Sequence, residues 1–257
     1  MSEPLAAPAA PVPPPLAPLE QEYRPVAPYL HTFLIVLLMC AVGVMSMLSF
    51  KSGRAPAGPM ALYIPTIIWL WSLALLVYAG VRRHGLRVRD VFGNTWRSFD
   101  DLLMDLAVAA GFWVAAMTVL YAVSRVLMYL LKQPTPKTIP TELQALAPQG
   151  ALGFALWLVL SISAGICEEF VFRGYLQRQF TALARNAGAG IVLSALVFSV
   201  GHLYEGGVKA IVIGIFGILL GVLAHARRSL APGMIAHAWH DIFAGALLYL
   251  LPRMLPH

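Results

Sequence analysis

Two glutamates and an arginine close one of the longest apolar runs in the chain. Residues 151–166 carry no charge, and Glu168, Glu169 and Arg173 follow them. On a helix, residues four apart share a face, so Glu169 and Arg173 are spaced to form an ion pair. Glu168 is rotated from Glu169 by about 100° and has no helical partner. It is therefore a candidate general base or acid, the alternative being a structural, salt-bridged cluster.

His202 is the second polar position, and it ends an apolar run that begins near residue 188. Phe198 precedes it by four residues, so the phenyl ring could pack beside the imidazole on the same helical face. Taken alone, such a histidine could equally be an interfacial or packing residue.

The third position is the stretch H237-A-W-H240-D241. His237 and Asp241 are four residues apart, and His240 lies near the same helical face. The helical zinc-protease motif needs two histidines four apart with Glu directly after the first, and this stretch lacks it. Asp241 could instead orient His237 or bind a substrate group.

The elements that carry these residues are predicted to be membrane helices. Of the 257 residues, 59% are hydrophobic and 12% charged, whereas soluble domains carry about 25% charged residues. A span needs roughly 20 apolar residues. We expect an all-α, polytopic membrane helix bundle of about seven transmembrane helices (six to eight) that enclose a polar cavity. The predicted segments are 28–50, 60–81, 102–131, 151–177, 188–203, 208–226 and 231–251.

Charge predicts the orientation of the bundle. The tail and the loops 82–101, 178–187 and 227–230 hold ten arginines, and the opposite set of loops holds six Lys or Arg residues. By the positive-inside rule the N-terminus is cytoplasmic. The net charge of +6 is thus explained by orientation, and no nucleic-acid partner is expected.

Three regions are predicted along the chain. Residues 1–27 are rich in Pro and Ala and are expected to form a disordered tail. Residues 28–149 would form the N-terminal transmembrane helices and loops, and residues 150–251 a catalytic membrane core.

Depth along the helices tests whether the polar positions can meet. With ~1.5 Å per residue, Glu168 and Asp241 lie roughly 15 Å from the cytoplasmic helix ends. His237 lies roughly 9 Å deep and His202 roughly 22 Å deep on the same scale. His202 fits least well, and a helix break at 188–190 or a tilt would bring it closer. Together these groups could activate a water molecule and stabilise an oxyanion.

The three positions resemble the motifs of a known family. E168-E-F-V-F-R173, F198-S-V-G-H202 and H237-A-W-H-D241 are similar, in this order on successive spans, to those of the CPBP family of intramembrane proteases. This family is also called the CAAX protease/bacteriocin-processing or Abi family. The resemblance covers roughly residues 150–250.

The resemblance implies a role for each residue. Glu168 and His202 would activate the attacking water, His237 and Asp241 would form an oxyanion or substrate site, and the supporting residues would be Glu169, Arg173 and Phe198. Eukaryotic prenyl proteases carry Asn where this chain has Asp241. An ionised carboxylate cannot donate to an oxyanion, so Asp241 would be protonated, a metal or water ligand, or an orienter of His237.

The resemblance leaves the cofactor open. A glutamate-activated water needs no metal, but Glu168, His202 and His237 could ligate zinc, with Asp241 close by.

The sequence therefore predicts an intramembrane endopeptidase that acts on a membrane-associated peptide or protein, with CAAX-type prenylated proteins as the family's best-defined substrates. Two alternatives are a proton-coupled transporter and a non-catalytic bacteriocin-immunity or scaffold protein. Transporters often show repeated halves, which are not seen here. The oligomeric state is not predicted.

Overall fold

The computed structural model describes residues 23–52, 58–94, 96–132 and 147–254. Most of the predicted tail, residues 1–22, lies outside this range, so its disorder stays a prediction. The described residues are overwhelmingly helical, and their β structure amounts to one isolated bridge between Gly93 and Ser229.

The described residues form nine α-helices, one π-helical segment and one 3₁₀ turn. They are α1 (Tyr29–Lys51), α2 (Pro59–Arg83), α3 (Val88–Phe92), α4 (Phe99–Leu130), α5 (Gly150–Glu168), a π-helical segment (Glu169–Leu176), α6 (Gln177–Ala184), α7 (Ala187–Gly201), a 3₁₀ turn (Leu203–Glu205), α8 (Gly207–Arg227) and α9 (Ala231–Met254).

The all-α membrane bundle is confirmed. A helix covers each of the seven predicted segments. Five of the described helical stretches are long and apolar enough to cross a membrane: α1, α2, α4, the continuous stretch from α5 to α6, and α8. Helix α7, with 15 residues, is shorter, and α9 is not among the five although it has 24 residues. The protein is therefore an integral membrane protein.

The predicted loop 178–187 is wrong in its extent, because the chain stays helical to Ala184. The next helix starts at once, since the Asn186 side chain caps α7 by accepting a hydrogen bond of 2.9 Å from the backbone N–H of Ala189. Glu168 thus lies about 24 Å along the helix from Ala184, and His202 about 22 Å along α7 from its start. The two depths agree without a helix break.

The depth of the last helix also differs from the prediction. Helix α9 begins directly after Leu230, which is 4% exposed. Because α9 starts inside the protein rather than at its surface, His237 reaches the level of Glu168 although only six residues separate it from Ala231.

The first motif lies on a π-helical segment instead of the expected α-helix. All eight residues of this segment, from Glu169 to Leu176, are buried. A π-helical turn closes over five residues instead of four, and such turns are frequent at functional sites. The wider turn changes the directions of Glu168 and Glu169 from those of an ideal α-helix.

Close packing holds the first motif against the third. Helix α5 packs along α9, where a methyl group at Gly165 would lie 2.7 Å from the carbonyl oxygen of Met234. Glycine at this position lets the two backbones approach each other, as is common between membrane helices.

Candidate active site

Glu169 is the buried centre of a hydrogen-bonded cluster. Its Oε1 lies 2.7 Å from Nη1 of Arg173 and 2.8 Å from Nδ1 of His237, and Glu169 is 0% exposed. Since a carboxylate can only accept, Nδ1 of His237 carries the hydrogen. His237 therefore turns its other ring nitrogen, Nε2, away from Glu169.

Glu168 lies on the other side of the same imidazole. Its Oε2 is 3.6 Å from Nε2 of His237, and Oδ2 of Asp241 is 3.9 Å from that nitrogen. Both distances exceed a direct hydrogen bond, and a contact of this length can be bridged by water. The Glu168 side chain is 15% exposed. The Glu168 carboxylate is therefore accessible, whereas the adjacent Glu169 carboxylate is buried.

His202 is held in one orientation by its own helix. Its Nδ1 donates a hydrogen bond of 2.8 Å to the backbone carbonyl of Phe198, and the ring centroids of the two residues are 4.6 Å apart. A carbonyl oxygen only accepts, so in the neutral imidazole Nε2 carries the free lone pair. This is the tautomer that a base or a ligand requires.

Arg173 joins the cluster to α8. Its Nη2 donates a hydrogen bond of 3.0 Å to the carbonyl of Gly217, and its guanidinium lies 4.7 Å from the centre of the Phe198 ring. The planar, forked guanidinium serves Glu169, a backbone carbonyl and an aromatic face at once. The supporting residues Glu169, Arg173 and Phe198 thus form one continuous structure.

The polar groups share a cavity of about 390 Å³. Its polar lining includes Glu168, His202, Tyr204, Glu205, His237, His240 and Asp241. Most of the remaining lining is aliphatic or aromatic, from α1, α2, α5 and α8. A polar centre inside an apolar wall is the arrangement of a ligand pocket.

The structure brings the four predicted catalytic residues Glu168, His202, His237 and Asp241 to this one cavity. Oδ2 of Asp241 lies 3.9 Å from Nε2 of His237, whereas Nδ1 is hydrogen-bonded to Glu169. Glu169 therefore makes the closer contact with the imidazole, and the role of Asp241 stays a prediction. The spacing of four residues predicts the pair of Glu169 and Arg173, but not the contact of Glu169 with His237.

Two aromatic residues near the site were missed. Trp157 donates a hydrogen bond of 2.8 Å from Nε1 to the backbone carbonyl of Asp241. Tyr204 stacks on the His202 ring with 6.1 Å between centroids. Trp157 stands in a featureless apolar run, whereas Tyr204 could have been suspected from its position two residues after His202.

The orientation of the two site histidines bears on the zinc prediction. Both site histidines donate from Nδ1, to a carboxylate and to a carbonyl, as metal-bound histidines do. However, no three His, Cys, Asp or Glu side chains converge as a metal site among the residues that the structure describes. Zinc binding by Glu168, His202 and His237 therefore stays a prediction.

The segment that contains the cluster matches a known protein family. Residues 150–243 match the family model described as type II CAAX prenyl endopeptidase Rce1-like. The match confirms the predicted resemblance over this segment, which contains all seven predicted site residues. Comparison with curated proteins and with solved structures gave no match.

Proposed function

We propose that this protein is an intramembrane endopeptidase that hydrolyses a peptide bond with a water activated by Glu168 and His202. The observation that supports this most directly is the division of the two glutamates. Oε1 of Glu169 contacts both Arg173 and His237, whereas Glu168 faces a cavity that His202 also lines. The family match supports the reaction class.

Glu168 acts as the general base. Its carboxylate takes a proton from the water, and the water oxygen bonds to the carbonyl carbon of the substrate. The lone pair on Nε2 of His202 accepts the water's second hydrogen and holds the nucleophile in place. The fixed Nδ1–H contact with Phe198 keeps Nε2 available for this role.

His237 stabilises the oxyanion. Its Nδ1 donates to Glu169, so Nε2 can donate to the oxyanion only when His237 is an imidazolium. The Glu169 carboxylate balances that charge at 2.8 Å. Asp241, as a carboxylate, cannot donate, and we assign it to positioning substrate or water beside Nε2.

Collapse of the tetrahedral intermediate completes the reaction. The C–N bond breaks, and Glu168 gives the proton that it took from water to the leaving amine. The products are a carboxylic acid and an amine, and Glu168 is again ionised. The acid's proton, which is the second hydrogen of the water, then passes to the amine, which gives a carboxylate and an ammonium group. Protons and electrons balance without a further reactant, and no step runs through a metal.

The substrate is a membrane-associated polypeptide. The apolar wall of the cavity suits a chain that arrives from the bilayer, and the description of the matched family points to prenylated CAAX-type proteins. We propose this substrate class as the first to test.

The test compares a farnesylated CAAX peptide with its unfarnesylated twin in liposomes that contain the full chain. Glu168→Gln should abolish cleavage at unchanged thermal stability. Asp100→Asn, a matched acid-to-amide change at an exposed position of α4, should cleave like the wild type. Undiminished cleavage by Glu168→Gln would contradict the proposal, and a transporter or scaffold would cleave neither peptide.

A further inference from the structure

Trp157 lines the cavity, and the proposed reaction gives it no task. It lies on α5, eleven residues before Glu168. At ~100° per residue, this separation amounts to three turns and about 20°. Trp157 and Glu168 therefore share one face of α5, and both approach α9 from that face, at Asp241 and at His237 respectively.

The indole of Trp157 is hydrogen-bonded to the main chain of the third motif. Its Nε1 donates a hydrogen bond of 2.8 Å to the backbone carbonyl of Asp241. A carbonyl oxygen has two lone pairs, so it can accept this bond beside one from its own helix. The bond fixes the backbone at Asp241 and does not depend on whether the Asp241 carboxyl is ionised.

Gly245 makes room for the indole on α9. A methyl group at Gly245 would overlap Nε1 and Cδ1 of Trp157, so the glycine leaves a notch in which the ring lies. Tyr63 of α2 packs edge-to-face against the same ring, with 5.4 Å between centroids, and Tyr63 is 0% exposed. The ring is therefore held by two helices and kept against Asp241.

A second close contact joins α5 and α9 two turns further along. A methyl group at Gly165 would lie 2.7 Å from the carbonyl oxygen of Met234 and 2.9 Å from Cβ of Ala238. Gly165 follows Trp157 by eight residues, and Ala238 precedes Gly245 by seven, as expected of antiparallel helices that touch at two points. The two contacts are about 11 Å apart along the helices.

His237 and Asp241 lie on α9 between Met234 and Gly245, and they are held in different ways. The His237 imidazole is bonded through Nδ1 to Glu169 at 2.8 Å. Oδ2 of Asp241 is 3.9 Å from Nε2 of His237, which is too far for a direct hydrogen bond. His237 therefore does not fix the Asp241 side chain, and the bond from Trp157 fixes its main chain.

We propose that Trp157 is a positioning residue, which sets the place of Asp241 in the cavity and thereby the place of the substrate or water beside Nε2 of His237. The inference rests on the proposed function for the role of Asp241. Without the indole N–H, α9 is still held at Gly165 and His237 keeps its bond to Glu169. The loss therefore falls on the task of Asp241.

The kinetic test uses the full chain in liposomes and the farnesylated CAAX peptide. Trp157→Phe keeps an aromatic ring against Tyr63 and removes the N–H. Trp71→Phe is the matched control, because Nε1 of Trp71, on α2, donates 3.1 Å to the Ser163 hydroxyl of α5 and makes no bond to α9. Both changes are made in the wild type and in Asp241→Ala.

We expect Trp157→Phe to lower kcat/KM about tenfold or more, since small misplacements of reacting groups are costly. In the Asp241→Ala background it should cause no further loss, because the two changes remove one function. Trp71→Phe should cleave like the wild type. Losses by Trp157→Phe and Asp241→Ala that multiply, or an equal loss by Trp71→Phe, would overturn the proposal. If Trp157→Phe fails to fold, Gly245→Ala displaces the indole from the other side and is judged by the same outcomes.

A nuclear magnetic resonance measurement in detergent micelles tests the contact without substrate. Asp241 is the one aspartate that is followed by isoleucine. Protein labelled with carbonyl-¹³C aspartate and ¹⁵N isoleucine therefore gives a single ¹³C–¹⁵N correlation, which reports the Asp241 carbonyl. Its ¹³C resonance should move upfield in Trp157→Phe, which removes the deshielding hydrogen bond, and stay in place in Trp71→Phe.

The two measurements separate this inference from the proposed function. A resonance that does not move in Trp157→Phe would overturn the inference, whether or not the protein cleaves the peptide. A resonance that moves, in a wild-type protein that cleaves no peptide, would leave the contact in place and contradict the proposed function.

Discussion

Nδ1 of His237 lies 2.8 Å from Oε1 of Glu169, and the same carboxylate oxygen lies 2.7 Å from Nη1 of Arg173. One oxygen thus joins the first motif to the third. The two neighbouring glutamates therefore differ in their surroundings. Glu169 links two helices inside the protein, and Glu168 lines the cavity.

The first prediction is that the two glutamates differ in their effect on stability. Glu169→Gln leaves the Arg173 guanidinium buried without a counter-charge, which costs about 3–5 kcal/mol. Glu168→Gln removes a partly exposed carboxylate with no bond shorter than 3.6 Å to His237, so its effect should be below about 1 kcal/mol. Denaturant or thermal unfolding in detergent micelles measures both. Equal losses would show that Glu168 is also structural.

The second prediction concerns the fixed ring of His202. In His202→Asn the amide nitrogen takes the place of Nδ1 and keeps the bond to the Phe198 carbonyl, but no atom remains at the Nε2 position. The variant should fold normally and cleave about 10²–10⁴-fold more slowly. The measurement is the cleavage rate beside a circular dichroism melt, with His84→Asn, in the connection after α2, as the control. A wild-type rate in His202→Asn would remove Nε2 from the mechanism.

The pairing of Glu169 with Arg173 and the packing of Phe198 on His202 could be predicted from the sequence, because both depend on residues four apart on one helix. The contact between Glu169 and His237 could not. It joins residues 68 positions apart. It also depends on a π-helical turn, which no residue type in the sequence predicts.

Helix ends were the other weak point of the prediction. Polar residues such as Arg178 suggested a loop, yet the chain stays helical because Gln177, Gln179 and Arg178 all find acceptors inside the protein. Composition marks which segments are apolar. It does not show which polar side chains will be satisfied by other helices.

The third prediction uses the close approach of α5 and α9. Gly165→Ala places a methyl group 2.7 Å from the Met234 carbonyl oxygen and 2.9 Å from Cβ of Ala238, so the helices must separate. Such overpacking costs about 1–3 kcal/mol and would move His237 away from Glu168, with a loss of cleavage. Gly111→Ala is the control, since a methyl group there meets nothing within 4 Å and should be neutral or slightly stabilising. Equal behaviour of the two variants would mean that α9 tolerates displacement.

The fourth prediction concerns zinc. Nε2 of both site histidines is the nitrogen that a metal would use, but the three candidate ligands Glu168, His202 and His237 do not converge as a metal site in the described part of the chain. We therefore expect purified protein in detergent to hold well under one zinc per chain, with the same content in a His202→Ala, His237→Ala double variant. Elemental analysis of both proteins measures this.

Near-stoichiometric zinc that the double variant loses would mean that the cavity closes around a metal, and would make the enzyme a metal-activated hydrolase. Low zinc in both, with the fold intact and cleavage present in the wild type, leaves the activation of water to Glu168 and His202.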